Sequence, residues 1–136
     1  FDTSLGGSLL LSSALLGCAA ANASLDLLEA EPEKYLGFEA RHRSRLEVLA
    51  RHPGIRRVRV TGTIAAFDLV VSDQEGYLNP AGKVLRRLAR ERGVLVRPLG
   101  QVVYLLPPLC ISDEQLDHCY FVLQEALDLL QKQATS

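Results

Sequence analysis

No Gly-x-Ser-x-Gly elbow, Walker loop or glycine-rich dinucleotide fingerprint occurs in the 136 residues. That sets aside the nucleophile-elbow hydrolases and the commonest nucleotide-binding arrangements. Cysteine is scarce: Cys18, Cys110 and Cys119 are an odd number at wide spacing, which makes no disulfide framework and fits the reducing cytoplasm. Formal net charge is only −1, with Lys and Arg interspersed among Asp and Glu, so no basic face marks a nucleic-acid partner. The apolar run Leu9–Ala21 is uncharged but too short to span a bilayer, so no membrane association is expected. Within it, Leu15-Leu16-Gly17-Cys18 looks like a lipoprotein cleavage box. No Lys or Arg precedes that box, however, and Asp2 stands where a positive region belongs.

Metal ligands are equally sparse. His42, His52 and His118 are scattered, and the nearest approach to a cluster is Cys110, His118 and Cys119, which lacks a fourth ligand for zinc. Packed thiols, a surface imidazole and no metal are expected. Lysine is nearly absent: Lys34, Lys83 and Lys132 fall on charged, exposed-looking helix positions, where an ammonium stays protonated and is a poor nucleophile. No catalytic residue is assigned. Nothing repeats, and no segment is of low complexity. Phe1 rather than Met opens the chain, which leads to the expectation of a fragment or a processed chain.

What is present reads as alternating helices and strands. Gly- and Ser-rich Phe1–Ser8 reads as loop, followed by a helix from about Ser13 to Glu29 whose alanines suit close packing and burial. Pro32 suits the first turn of a helix running to Arg51, stopped by His52-Pro53-Gly54. Arg57–Val60 alternates as a half-exposed strand, Thr61-Gly62-Thr63 is a bend or bulge, and Ile64–Val71 is a longer strand. Asp68 interrupts that strand and is expected to pair within the sheet, since an acceptor-only group there needs donors. Asn79 and Pro80 open a helix that Gly93 terminates. Ser112-Asp113-Glu114-Gln115 is a capping box for a last helix, to about Lys132, with Leu116, Tyr120, Leu123, Leu127 and Leu130 as its apolar stripe. The order ααββαββα predicts an α+β layer: a small antiparallel or mixed sheet of three to four strands, covered by helices.

The most informative stretch is Gly93–Leu109. Two apolar runs, Val94–Val96 and Val102–Leu106, flank a Pro-Leu-Gly turn and read as buried strands. Arg97 sits where the first of them ends. Its guanidinium cannot shed its proton, and burying it unpaired would be very costly. It is therefore a structural ion pair, an arginine reaching solvent, or a fork for a carboxylate with Tyr104 as a neutral hydrogen-bonding wall.

The segment Gly93-Val94-Leu95-Val96-Arg97-Pro98-Leu99-Gly100, with Val103-Tyr104-Leu105-Leu106-Pro107-Pro108, resembles the C-terminal part of class III aminotransferases. The likeness extends through Leu16–Leu25 and Arg59-Val60-Thr61-Gly62. It implies the C-terminal α+β domain of a fold-type I enzyme over 32–136, preceded by a loop and helix over 1–31. It also implies pyridoxal phosphate as cofactor, a homodimer, a small-molecule amino donor and a keto-acid acceptor. The branch it most resembles serves biotin synthesis, with S-adenosylmethionine as donor and 8-amino-7-oxononanoate as acceptor. By the same resemblance Arg97 and Tyr104 bind the acceptor, and the Schiff-base lysine lies N-terminal to the matched region. The chain departs from the family at Leu10, which stands where a Ser or Thr binds the cofactor phosphate of the neighbouring subunit. That contact is then lost or moved to Ser8 or Ser12, and the cofactor-binding residues are unassigned. A change of reading frame over Gly7–Ser12 would account for the departure. The alternative reading is a non-catalytic α+β remnant or interaction domain that binds no cofactor.

With no suitably placed lysine, the chain treated with pyridoxal phosphate and borohydride is expected to label no single lysine stoichiometrically. Specific labelling of Lys83, read out by peptide mass spectrometry, would relocate the catalytic lysine to this chain.

Overall fold

The structure, a computed structural model, describes residues 3–70 and 80–134, with side chains over 14–33, 36–70 and 81–132. It divides into two compact units, Phe1–Tyr35 and Leu36–Ser136. In the first unit α1 spans Thr3–Ala30. The helix starts some ten residues before the position expected from sequence, because Gly6, Gly7 and Ser8 weaken helix formation without breaking it. Once a long run of good helix formers is nucleated, propagation carries the helix outward. Burial was expected here, yet Leu15, Leu16, Leu25 and Leu27 are all more than half exposed, and Cys18 is exposed as well. A unit of one long helix has no second layer of its own to cover an apolar stripe. Ser8, Leu10 and Ser12, the positions bearing on the cofactor phosphate, and the run Leu9–Leu11 have side chains outside the described residues. No helix among the described residues is long and apolar enough to cross a membrane.

The helix expected over Pro32–Arg51 is two helices, the single turn α2 (Glu33–Leu36) and α3 (Phe38–Leu49). Gly37 separates them. It acts as the N-cap of α3, its carbonyl accepting the Arg41 N–H at 3.1 Å. In the second unit β1 (Ile55–Thr61), β2 (Ile64–Leu69) and β3 (Val102–Leu105) form an antiparallel sheet in the order β1-β2-β3. Thr61 pairs with Ile64 across a two-residue turn, which Gly62 enters at φ +55°. The bulge lies in β1 itself and not at the turn. Arg56 pairs with Asp68 and Arg59 with Ala66, so Arg57 and Val58 together oppose Phe67, and Arg57 takes φ +51°.

Alternation sorts the sheet's two faces. Ala65, Phe67, Leu69, Val103 and Leu105 point into a core completed by α3, α4 (Pro80–Glu91) and α5 (Asp113–Ala134). The apolar stripe read from sequence on α5, from Leu116 to Leu130, is buried throughout. Asp68 lies on the other face and is buried. It accepts from Arg59 Nη1 at 2.8 Å and Arg57 Nη1 at 3.4 Å, which is the pairing its sequence position called for. The capping box of α5 is reciprocal: the Gln115 N–H donates to Ser112 Oγ and the Ser112 N–H to Gln115 Oε1. Asn79 lies outside the described residues, so the cap of α4 is not described. The segment Val94–Val96 is extended but joins no ladder. Its phase is set by the end of α4, where Gly93 at φ +81° donates to the Arg90 carbonyl and Val94 to the Ala89 carbonyl, a Schellman closure.

Polar contacts at two levels tie α3 to the rest of this unit, at the surface and in the core. Arg41 Nε and Arg45 Nη2 both reach Asp113 Oδ1, at 2.9 and 3.0 Å, and Arg45 Nε reaches Asp117 at 2.6 Å, clamping the start of α5. Deeper, His42 is fully buried, with Nε2 3.1 Å from the Thr63 carbonyl and Nδ1 2.7 Å from the Tyr120 hydroxyl. A carbonyl only accepts, so Nε2 carries the proton and Nδ1 accepts from the phenol, whose own pKa burial pushes far up. Burial pushes the imidazole below its ordinary value, and the Arg41 and Arg45 charges add to this against the opposing effect of the Thr63 carbonyl.

A base held neutral in the fold contributes stability that is complete above its unfolded pKa, near 6.5, and is lost as pH falls below it. The denaturant midpoint is therefore expected to drop between about pH 7.5 and pH 5.5, with a shallower slope in His42→Gln. Tyr120→Phe leaves Nδ1 buried without its donor and is expected to cost about 1–3 kcal/mol at pH 7.5.

Candidate functional site

The closure of α4 decides which side chains face outward after it. Val94 and Val96 turn inward and are buried, so Leu95 and Arg97 point outward and are exposed. Pro98 then leads into a tight turn, where Leu99 and Val102 exchange backbone hydrogen bonds of 2.8 and 3.0 Å around Gly100 at φ +61°. The Leu69 N–H donates to the Gln101 carbonyl at 2.8 Å and pins this turn to β2. In β3, Val103 and Leu105 go to the core, while Tyr104 stands on the opposite face beside Ala66. Leu106, Pro107 and Pro108 carry the chain to the cap of α5.

These segments line a half-open cavity of ≈ 380 Å³ that both Arg97 and Tyr104 border, together with Leu95, Leu106, Pro107, Pro108, Ile111 and Cys119. Its size is within the range of small-molecule sites, and its walls are mainly apolar with a few polar groups. Arg97 makes no ion pair or hydrogen bond among the described residues, so the structural ion-pair alternative finds no partner there. Such a guanidinium is free to present its planar pair of donors to an anion. The Tyr104 hydroxyl likewise has no partner among the described residues. Burial raises the pKa of the Cys119 thiol, which keeps it neutral.

The other candidates do not converge. His52 bonds to Asp128 and receives the Gly54 N–H, and His118 Nε2 donates to the Arg92 carbonyl. Cys110 is exposed, and among the described residues no three His, Cys, Asp or Glu side chains could hold a metal. Lys83 and Lys132 are exposed on their helices, and no lysine lines the cavity. Lys34 has its side chain outside the described residues. Neither Lys83 nor Lys132 reaches the cavity, so the residues that line it do not fit a Schiff base to pyridoxal phosphate there. Sequence reasoning missed the apolar walls of the cavity. Alternation from Val94 could have placed Leu95 beside Arg97, but nothing local brings Ile111 or Cys119 to the same place.

The chain that carries this cavity has counterparts among known proteins. The profile of the family described as aminotransferase class-III matches residues 11–127, and the chain belongs to that family, whose members generally depend on pyridoxal phosphate. Over 113 residues it is 50% identical to the adenosylmethionine-8-amino-7-oxononanoate aminotransferase of Synechococcus elongatus, covering 83% of this chain and 26% of that protein. Among solved structures, the ω-transferase of Vibrio fluvialis superposes with a TM-score of 0.78 at 28% identity, covering 88% of this chain and 30% of that one. The adenosylmethionine-8-amino-7-oxononanoate aminotransferase of Methanocaldococcus jannaschii superposes at 0.74 with 27% identity, covering 82% and 27%. The α+β fold is accordingly that of fold-type I aminotransferases, and the chain spans about a quarter of the length of its curated relatives.

Since only the thiolate reacts with alkylating agents, burial and a raised pKa set an order among the three thiols. Iodoacetamide at pH 7 is expected to modify exposed Cys18 and Cys110 before Cys119, with site-resolved mass spectrometry as the readout.

Proposed function

We propose that the cavity at Arg97 is the carboxylate-holding part of an acceptor site in an aminotransferase. In this reading the donor is S-adenosylmethionine, the acceptor is 8-amino-7-oxononanoate, and the product serves biotin synthesis. The observation that carries it is an arginine without a partner among the described residues, lining a mainly apolar cavity that Tyr104 also lines. A keto acid with a carboxylate at the end of a methylene chain needs one strong anion site and an apolar wall. Arg97 supplies a bidentate fork that fixes the carboxylate and its direction, and Tyr104 adds a neutral donor. Leu95, Leu106, Pro107 and Ile111 exclude water along the methylenes. Holding the far end of a flexible substrate places its reacting carbonyl without touching it, which is a contribution of orientation.

Pyridoxal phosphate supplies the amino-group chemistry when bound, and in this reading it is held by residues other than those described here. The active unit is a homodimer in the cytoplasm, as family resemblance implies. The relatives named for this reaction support the choice of substrates. A second reading, a domain that binds no cofactor, is favoured by the exposed positions of Lys83 and Lys132.

The test uses a full-length chimera in which this chain replaces the matching quarter of the Synechococcus elongatus relative. Arg97→Lys keeps the charge but removes the fork. Single-turnover kinetics should show the acceptor half-reaction losing about 1.5–3 kcal/mol of transition-state stabilisation, the range for a hydrogen bond to a charged group. The donor half-reaction should change much less. Equal losses in both halves with a lowered denaturant midpoint would make Arg97 a structural residue. A chimera inactive with both substrates, although folded and cofactor-loaded, would favour the second reading.

A further inference from the structure

A small residue in the first turn of α4 stands out once the turn carrying Arg97 is located. Gly82 is buried, and a Cβ added to it would lie 2.6 Å from the Gly100 carbonyl oxygen and 3.0 Å from Pro98 Cβ. The first separation is one that real Cβ atoms essentially never show, and neither neighbour is the far end of a flexible side chain. One is a backbone oxygen inside a tight turn, and the other is a ring carbon of the residue next to Arg97. Glycine is also the weakest helix former after proline, so local helix stability does not account for its presence. What it permits is the close approach of α4 to the Pro98–Gly100 turn.

We infer that Gly82 is a positioning residue for Arg97: its missing side chain lets α4 serve as the backstop that sets the guanidinium against Tyr104. The inference rests on reading Arg97 as the acceptor's carboxylate fork. Two supports hold the turn. The Leu69 to Gln101 hydrogen bond ties it to β2, and the contact at Gly82 sets it against α4. Tyr104 cannot follow a displaced turn, because β3 is paired with β2 at four positions. Nor can α4 readily retreat, because Leu85 and Ala89 are completely buried in the core. An added methyl group therefore pushes on the Gly100 carbonyl and on Pro98, and the adjoining Arg97 moves relative to Tyr104. Such a shift alters the geometry of a two-point carboxylate clasp while leaving its chemistry intact.

The experiment combines Gly82→Ala with Arg97→Lys, each in the 136-residue chain and in the full-length chimera. In the chain, amide hydrogen exchange at Leu99 and Val102 is expected to accelerate in Gly82→Ala. In the chimera, KM for the keto-acid acceptor is expected to rise roughly tenfold or more, since misplacement by about 1 Å can cost about a hundredfold. The donor half-reaction should stay within about twofold, because this cavity does not serve the donor in the reading above. Unchanged exchange and unchanged acceptor KM in Gly82→Ala, with Arg97→Lys impaired, would overturn the role of Gly82 and leave the fork standing. An unimpaired Arg97→Lys would remove the fork and this inference with it. Parallel losses in both half-reactions with a lowered denaturant midpoint would reduce Gly82 to a packing residue and likewise overturn it. If Gly82→Ala fails to fold, Pro98→Gly decides. It withdraws the ring from the same contact without adding volume, and an unchanged acceptor KM there would overturn the inference.

Discussion

At the end of α4 the chain must do two things at once: satisfy the last carbonyls of a helix and leave in a direction that returns to the sheet. Gly93 does both by adopting a left-handed conformation, closing the helix through the Arg90 and Ala89 carbonyls. That closure fixes the phase of the four residues that follow. Val94 and Val96 enter the core and add to its apolar burial, which by itself forces Leu95 and Arg97 outward. A cation reaches the cavity because its neighbours are hydrophobic, and no residue needs to pull it there. The same logic operates in β3, where burial of Val103 and Leu105 sends Tyr104 to the other side.

The scaffold behind the cavity is held by contacts that the cavity never touches. Hydrophobic packing supplies most of it, but the sheet, α3 and α5 also meet at the buried His42, between the Thr63 carbonyl and the Tyr120 hydroxyl. A buried neutral imidazole with both nitrogens satisfied fixes one arrangement of three elements, because any slip leaves a polar atom unpaired in an apolar surrounding. At the surface, the Arg41 and Arg45 pairs with Asp113 and Asp117 hold the start of α5. Exposed pairs of this kind contribute modestly one by one.

Much of this was readable in order along the chain. The runs that form β1, β2 and β3, the capping box at Ser112 and the glycine stop at Gly93 each rest on local chemistry, and each recurs in the fold. Arg97 and Tyr104 were legible as a pair because one turn separates them. The misreadings also have local causes. Val94–Val96 has the composition of a strand, but its first N–H is committed to the Ala89 carbonyl and Pro98 has none to give, so it joins no ladder. Gly37 breaks a helix whose charge pattern runs on without interruption. The glycines before Leu9 suggested a loop, yet α1 passes through them. Illegible from the sequence was whatever depends on distant segments meeting: Ile111 and Cys119 at the cavity, and the approach of Gly82 to Gly100.

The irregularity in β1 has a consequence for the sheet as a whole. Among the described residues β1 lies at one border of the sheet, and a straight border strand offers a row of backbone donors and acceptors to any passing chain. At Arg57 that row is interrupted. The left-handed residue throws the strand out of register, and the exposed guanidiniums of Arg57 and Arg59 stand beside it. An incoming strand would meet mismatched amide spacing and would have to desolvate two cations already engaged with Asp68. The kink thus works as a selvedge at β1, discouraging an unspecific strand from adding to that border.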